Sequence, residues 1–380
     1  MGRNLFVRRE VETAKAYSPG LSVDEIRDLY GLERIIKLAS NENPLGASPM
    51  ARRAVERAAG SIFRYAQSGS PRLAEAIAAM HRVKPECVAL GNGSDEVIDL
   101  LIRCRAEPGR HNIVTFKPCY SLYALQAGFC GVELRTAPLR KDFSFDWEAL
   151  LTLVDGMTSL VFVTTPDNPS GYCPPARELE ALAGRLPAET LLVLDEAYMD
   201  FAAYADGAVD GALADYSLLP RFNELNNVII LRTFSKSYGL AGLRLGYGLM
   251  PAALAGYLRR VRLPFSVNTL AEAAGLAVLR DRDFHLASLR EVERGRALLS
   301  RELTGLGCPV YPSLSNFIMF SPPPGASLSA AGLFDALLRR GVILRRLDSY
   351  GLPEFLRVSV GKEEENILFL EHLQELLAAV

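Results

Sequence analysis

Thr233-Phe234-Ser235-Lys236-Ser237-Tyr238-Gly239-Leu240-Ala241-Gly242, followed by Leu243 and Arg244, is the stretch on which the reading of this chain turns. The apolar run Asn227-Val228-Ile229-Ile230-Leu231 precedes it and reads as a strand buried on both faces. A lysine just after such a strand, among small hydroxyl and glycine residues, suits an amine held in a tight phosphate-lined site. There it can form a Schiff base with an aldehyde. The plainer reading is a solvated lysine in a loop.

Outward from this strand, helical and strand-like stretches alternate from about residue 50 onward, the mark of an α/β fold with a mainly parallel sheet. Val88-Ala89-Leu90 reads as a short strand and Gly91-Asn92-Gly93 as a turn. Ser94-Asp95-Glu96 then opens a helix that runs through Ile102. Asn112 to Phe116, Leu160 to Thr164 and Leu191 to Asp195 read as further strands. After Leu263-Pro264-Phe265 the pattern changes to one long helical stretch, rich in Arg, Glu and Leu, ending near Leu306. The tail mixes strands (Asn316 to Phe320, Val342 to Arg345, Leu356 to Val360) with helices (Ala330 to Arg340, Glu363 to Leu377). The expected organisation is a large domain over 46–265 and a smaller α+β domain over 266–380. The segment 1–45 then packs on the small domain or across a partner subunit.

The chain has 380 residues, of which 49% are hydrophobic, enough to bury a large core. A net charge of −2, with no long block of like charges, argues against nucleic acid or an anionic membrane as partner. The longest apolar runs are strand-sized. Met1-Gly2-Arg3-Asn4-Leu5-Phe6 has neither a signal-peptide apolar region nor the hydroxyl residue of a myristoylation site. The six cysteines and four histidines show no metal-ligand spacing, so no metal is expected. Scattered cysteines in so long a chain read as free thiols of a cytoplasmic protein.

Four further motifs end strands or open helices, where α/β folds place their ligands. Gly91-Asn92-Gly93-Ser94-Asp95-Glu96 offers backbone N–H groups at a helix start for a phosphate, or is simply a capped helix. It is no dinucleotide fingerprint, since Glu96 stands where the third glycine belongs. Asp195-Glu196-Ala197-Tyr198 puts a carboxylate at a strand end, able to pair with a protonated ring nitrogen, with a phenol three residues on; a charged strand terminus is the alternative. Thr165-Pro166-Asp167-Asn168-Pro169-Ser170-Gly171 is a turn on composition, to which Asn168 adds an amide donor. Arg244 and Arg357 each sit within apolar stretches, where an arginine must face either an anion or a structural ion pair.

Taken together, in the order Asn168, Asp195, Tyr198, Lys236, Arg244, Arg357, these residues resemble the fold-type-I pyridoxal-phosphate aminotransferases across almost the whole chain. The resemblance implies a mainly parallel seven-stranded sheet between helices. It also implies pyridoxal 5′-phosphate bound on Lys236, with Asp195 at the ring nitrogen and Asn168 and Tyr198 at the ring oxygen. Tyr17-Ser18-Pro19-Gly20, Ile36-Lys37-Leu38-Ala39-Ser40-Asn41-Glu42-Asn43-Pro44-Leu45-Gly46, Gly239 to Arg244, Leu263 to Asn268 and Val342 to Arg345 are similar to the histidinol-phosphate subfamily. By that resemblance Ser94, Asp95, Thr233, Ser235 and Arg244 surround the cofactor phosphate, and Tyr120 stacks on the ring. Tyr65 reaches the site of a partner subunit, which implies a homodimer. Tyr17, Asn43, Arg345 and Arg357 meet the substrate. Three departures stand out: Ala66 follows Tyr65 where the subfamily has proline, Asp167-Asn168-Pro169-Ser170 replaces Asn-Asn-Pro-Thr, and Arg346 follows Arg345.

The expected reaction is transfer of the amino group of histidinol phosphate to 2-oxoglutarate. An aromatic-amino-acid aminotransferase and a threonine-phosphate decarboxylase share the fold, although the His-Gly-Gly motif of the latter is absent. A non-catalytic pyridoxal-phosphate-binding regulator would lose the lysine or gain a DNA-binding extension, and this chain does neither.

Overall fold

Alternate residues of single strands feed two different cores. In Thr158–Thr164, Val161 and Val163 enter one apolar cluster while Leu160 and Phe162 enter another on the opposite face. Leu191–Asp195 divides the same way, Leu192 and Leu194 on one side and Val193 on the other. This is the period-two geometry of a strand covered on both faces, and it explains why these segments are apolar throughout.

The computed structural model describes residues 6–12, 21–205 and 207–378. In chain order the strands are β1 (Ile36–Lys37), β2 (Val88–Asn92), β3 (Asn112–Lys117), β4 (Glu133–Pro138), β5 (Thr158–Thr164) and β6 (Leu191–Asp195). Then follow β7 (Val228–Thr233), β8 (Leu245–Leu249), β9 (Phe317–Phe320), β10 (Val342–Ile343), β11 (Arg345–Arg346) and β12 (Leu356–Ser359). The central sheet has seven strands in the order β2-β8-β7-β6-β5-β3-β4. Strands β4, β3, β5, β6 and β7 run parallel, and β8 pairs antiparallel with both β7 and β2. Two of the seven, β4 and β8, carry no clear strand pattern in the sequence. The polar Glu133-Leu134-Arg135-Thr136 suits an edge strand, and Leu245-Gly246-Tyr247-Gly248-Leu249 is interrupted by glycines.

A second sheet, β11-β12-β9, carries a separate core with Phe317, Phe320, Val358, Leu337 and Phe369. The long helical stretch expected after Phe265 is two helices, Thr269–Val278 and Arg282–Gly305. Asp281 separates them, capping the second through the backbone N–H of Phe284. Short β1 pairs in parallel with β10, so the chain just before the large sheet is tied to the C-terminal part. Among the described residues no helix is long and apolar enough to cross a membrane, and no His/Cys/Asp/Glu cluster could hold a metal.

Candidate active site

The C-terminal ends of β5, β6 and β7 deliver Thr164, Asp195 and Thr233 to one cleft of about 270 Å³. The helix Gly93–Arg105 points its N-terminus at the same cleft. Its sequence suits that orientation, with Asp95 and Glu96 in the first turn and Arg103 and Arg105 in the last, matching the helix dipole. Gly93 holds a positive φ of 76° and packs against Arg244, where a Cβ would stand 2.7 Å from the guanidinium. The backbone N–H of Gly93 donates to the carbonyl of Arg244 at 3.0 Å. Asp95 then joins two neighbours, accepting from Tyr120 Oη at 3.1 Å and from Arg244 at 2.9 Å.

Lys236 follows β7 by three residues, and its Nζ donates to the carbonyl of Ser40 at 3.1 Å. Burial lowers its pKa to about 8, and the nearby Arg357 charge adds to the effect. Asp195 is fully enclosed. Tyr123 Oη donates to its Oδ2 at 2.8 Å, and the N–H of Ala197 reaches Oδ1 at 3.3 Å. Burial lifts its pKa to about 6, and among the described residues no cation pairs with it. Tyr198 accepts from Asn41 Nδ2 at 3.0 Å, and its ring centroid lies 5.6 Å from Lys236 Nζ.

Arg357 is buried and lines the cleft. Its guanidinium donates to Asn168 Oδ1 and, at 2.9 Å, to the carbonyl of Ala39; it forms no carboxylate ion pair among the described residues. With its oxygen so occupied, Asn168 is left with its NH₂ as the free donor. Arg345 lines the cleft, whereas Arg346 makes a two-pronged contact with Asp348 at 2.8 Å on each prong.

The cleft therefore brings together Ser94, Asp95, Tyr120, Asn168, Asp195, Tyr198, Thr233, Ser235, Lys236, Arg244, Arg345 and Arg357. It does not bring Asn43 there. That amide is consumed by the carbonyl of Ser237 at 2.8 Å and Ser288 Oγ at 3.0 Å, and Asn41 lines the cleft instead. Tyr65 is 85% exposed and stacks on Phe265 at 4.6 Å, away from the cleft of its own chain. Tyr17 lies outside the described residues.

Three groups are not evident as site residues in the sequence: Asn41, Tyr123 and the network around Arg232. Arg232 pairs with Glu196 Oε2 at 2.9 Å and Asp200 Oδ1 at 2.8 Å, and Asp200 also accepts from Ser237, the neighbour of Lys236. An arginine one residue beyond the apolar run of β7 is the signal that could have found it.

A phosphorylated pyridine aldehyde fits this donor set. The buried, unpaired carboxylate of Asp195 suits a ring cation. The helix N-terminus with Ser94, Ser235 and Arg244 suits a phosphate. The buried amine of Lys236 suits an aldehyde.

The aminotransferase class I and II family model matches residues 33–373. Histidinol-phosphate aminotransferase of Nitratidesulfovibrio vulgaris Hildenborough is 59% identical over 377 residues, 99% of this chain and 98% of that protein. Histidinol-phosphate aminotransferase 2 of Pseudomonas aeruginosa is 41% identical over 97% of this chain and 96% of its own length. A crystal structure of histidinol-phosphate aminotransferase from Sinorhizobium meliloti, in complex with pyridoxal-5′-phosphate, superposes with a TM-score of 0.86 at 28% identity, each chain covered in full at 100%. The chain belongs to the aminotransferase class I and II family, within its histidinol-phosphate aminotransferase branch.

Proposed function

We propose that this enzyme moves the amino group of histidinol phosphate to 2-oxoglutarate, giving imidazole acetol phosphate and glutamate in histidine biosynthesis. The observation that carries the substrate choice is the 59% identity, along nearly all of the chain, to a protein of that name. Bound pyridoxal phosphate supplies the aldehyde that receives an amino group and the ring that takes up electrons when a bond at the substrate carbon breaks.

The chain's own residues do the rest. Lys236, with its pKa lowered to about 8, is close enough to neutrality to accept a proton at the substrate carbon and return it. Asp195 would keep the ring nitrogen protonated, Asn168 and Tyr198 would hold the ring oxygen, and Tyr120 would lie against the ring. Ser94, Thr233, Ser235 and Arg244, with the backbone N–H of Asp95, would hold the phosphate. The Asp95 carboxylate, engaged by Tyr120 and Arg244, serves to set those two side chains. Arg345 and Arg357 meet the anionic ends of the substrates, since guanidinium forks bind both carboxylate and phosphate.

A homodimer completes this reading, with Tyr65 serving the partner's site. Ile62, Phe63, Tyr65 and Leu263 are exposed at 67%, 75%, 85% and 70%, a set of large side chains that a second copy would cover. Residues 46–265 form the cofactor-holding part and 266–380 the smaller part, with 1–45 packed against the latter or the partner. Six cysteines without a disulfide support a reducing compartment, the cytoplasm. Incubation with histidinol phosphate and 2-oxoglutarate tests the reading: glutamate should accumulate with the wild-type protein and not with Lys236→Ala. No glutamate from the wild type would refute it.

A further inference from the structure

Tyr123 is the second residue of the helix Leu122–Cys130 and is wholly buried. Its ring stacks on Phe162 at 4.7 Å and meets Tyr120 edge-on at 5.8 Å. Phenylalanine would serve that packing equally well. What the tyrosine adds is a hydroxyl lying 2.8 Å from both Asp195 Oδ2 and Thr164 Oγ1. A phenol has one proton, and an ionised carboxylate can only accept. The proton therefore goes to Asp195, and Thr164 donates in turn to the phenol oxygen. Three elements, the helix, β5 and β6, fix this chain of hydrogen bonds.

We infer that Tyr123 is a positioning residue for Asp195, holding the carboxylate ionised and fixed in place for the ring nitrogen of the cofactor. The surroundings otherwise work against the charge. Burial, the Asp95 carboxylate and Glu196 all favour the protonated form, while the Tyr123 and Ala197 hydrogen bonds oppose it. Glu196 is itself engaged by Arg232 and Ser217. Tyr120, Tyr198 and Cys119 also stand around the pair; Tyr120 donates to Asp95, Cys119 to the carbonyl of Tyr120, and Tyr198 accepts from Asn41. Burial pushes the Tyr123 phenol well above its ordinary range, so it stays a donor at every working pH. Without it, the N–H of Ala197 at 3.3 Å is the carboxylate's remaining hydrogen-bond donor among the described residues.

The inference rests on Asp195 serving the ring nitrogen, and the test separates the two. Tyr123→Phe, Thr164→Val and Asp195→Asn are compared with wild type in three measurements. These are pyridoxal phosphate affinity by titration of the stripped protein, the acid limb of kcat/KM for the reconstituted enzyme, and thermal melting. Tyr123→Phe should bind the cofactor about 10-fold more weakly and move the acid limb up by roughly one pH unit, because a proton on Asp195 becomes easier to hold. Thr164→Val should act in the same direction but less, and carries the test if Tyr123→Phe does not fold. A lower melting temperature with unmoved affinity and pH profile would overturn the inference and leave Tyr123 a packing residue. If Asp195→Asn also leaves the affinity unmoved, the Asp195 assignment itself fails; if only Tyr123→Phe is silent, the assignment stands and the inference falls.

Discussion

At the scale of single residues, the cleft holds a carboxylate that the empty fold would be better without. The pKa of Asp195 rises from 3.8 to about 6 on folding. A carboxyl raised in this way contributes most stability below pH 4 and loses it as pH climbs to 6. The loss is about 3 kcal/mol, because the folded state then carries a buried unpaired charge. Asp195→Asn should therefore stabilise the cofactor-free protein above pH 6 in denaturant titrations, yet slow transamination on the order of 10³-fold. A variant that loses stability in the stripped form, or turns over normally, contradicts the role. Lys236 is tested by borohydride reduction and peptide mapping, which should find the pyridoxyl group on that residue and on no other lysine. Both residues are legible in the sequence because Asp195 closes an apolar strand, Lys236 follows one by three residues, and each sits in a recognisable string. Tyr123 is not, because its meaning depends on two other strands meeting it, and the sequence around Tyr123-Ala124-Leu125 describes only a helix.

Among the elements, the phosphate end of the cleft depends on how closely β8 approaches the helix Gly93–Arg105. A Cβ at Gly246 would lie 2.2 Å from the backbone N of Ser94, and neither backbone can give way cheaply. Gly246→Ala should cost about 3 kcal/mol of stability in denaturant unfolding and weaken cofactor binding with it. A neutral substitution would mean that the two elements are not held as described. The strands β5, β6 and β7, mainly Val, Ile, Leu and Phe, can be read directly, since burial on both faces demands such composition. β8 is hidden because the glycines that allow this close packing remove the strand pattern. β4 is hidden because its edge position leaves it half in water. The break at Asp281 is hidden for a different reason: helical periodicity continues through the residues on either side, and a single capping aspartate divides them.

For the whole molecule, the homodimer proposed from the exposed face around Tyr65 is tested by hybrid dimers, which also show whether the second copy shares the site. Mixing Tyr65→Phe chains with Lys236→Ala chains should restore turnover, because a hybrid then has one site with both residues intact. If Tyr65 served its own chain, every hybrid site would carry a lesion and no recovery would follow. The fold as a whole, a pyridoxal-phosphate-dependent aminotransferase, is legible from a ten-residue string and a handful of strand ends. Substrate choice is legible only through the motifs shared with the histidinol-phosphate branch and not through the strand pattern; the two arginines proposed to meet the substrate, Arg345 and Arg357, come together only when neighbouring strands pair in register. The most direct measurement is the ratio of kcat/KM for histidinol phosphate and phenylalanine as amino donors to 2-oxoglutarate. With a guanidinium holding the phosphate, histidinol phosphate should be favoured by at least about tenfold. A preference for phenylalanine or tyrosine would contradict the account.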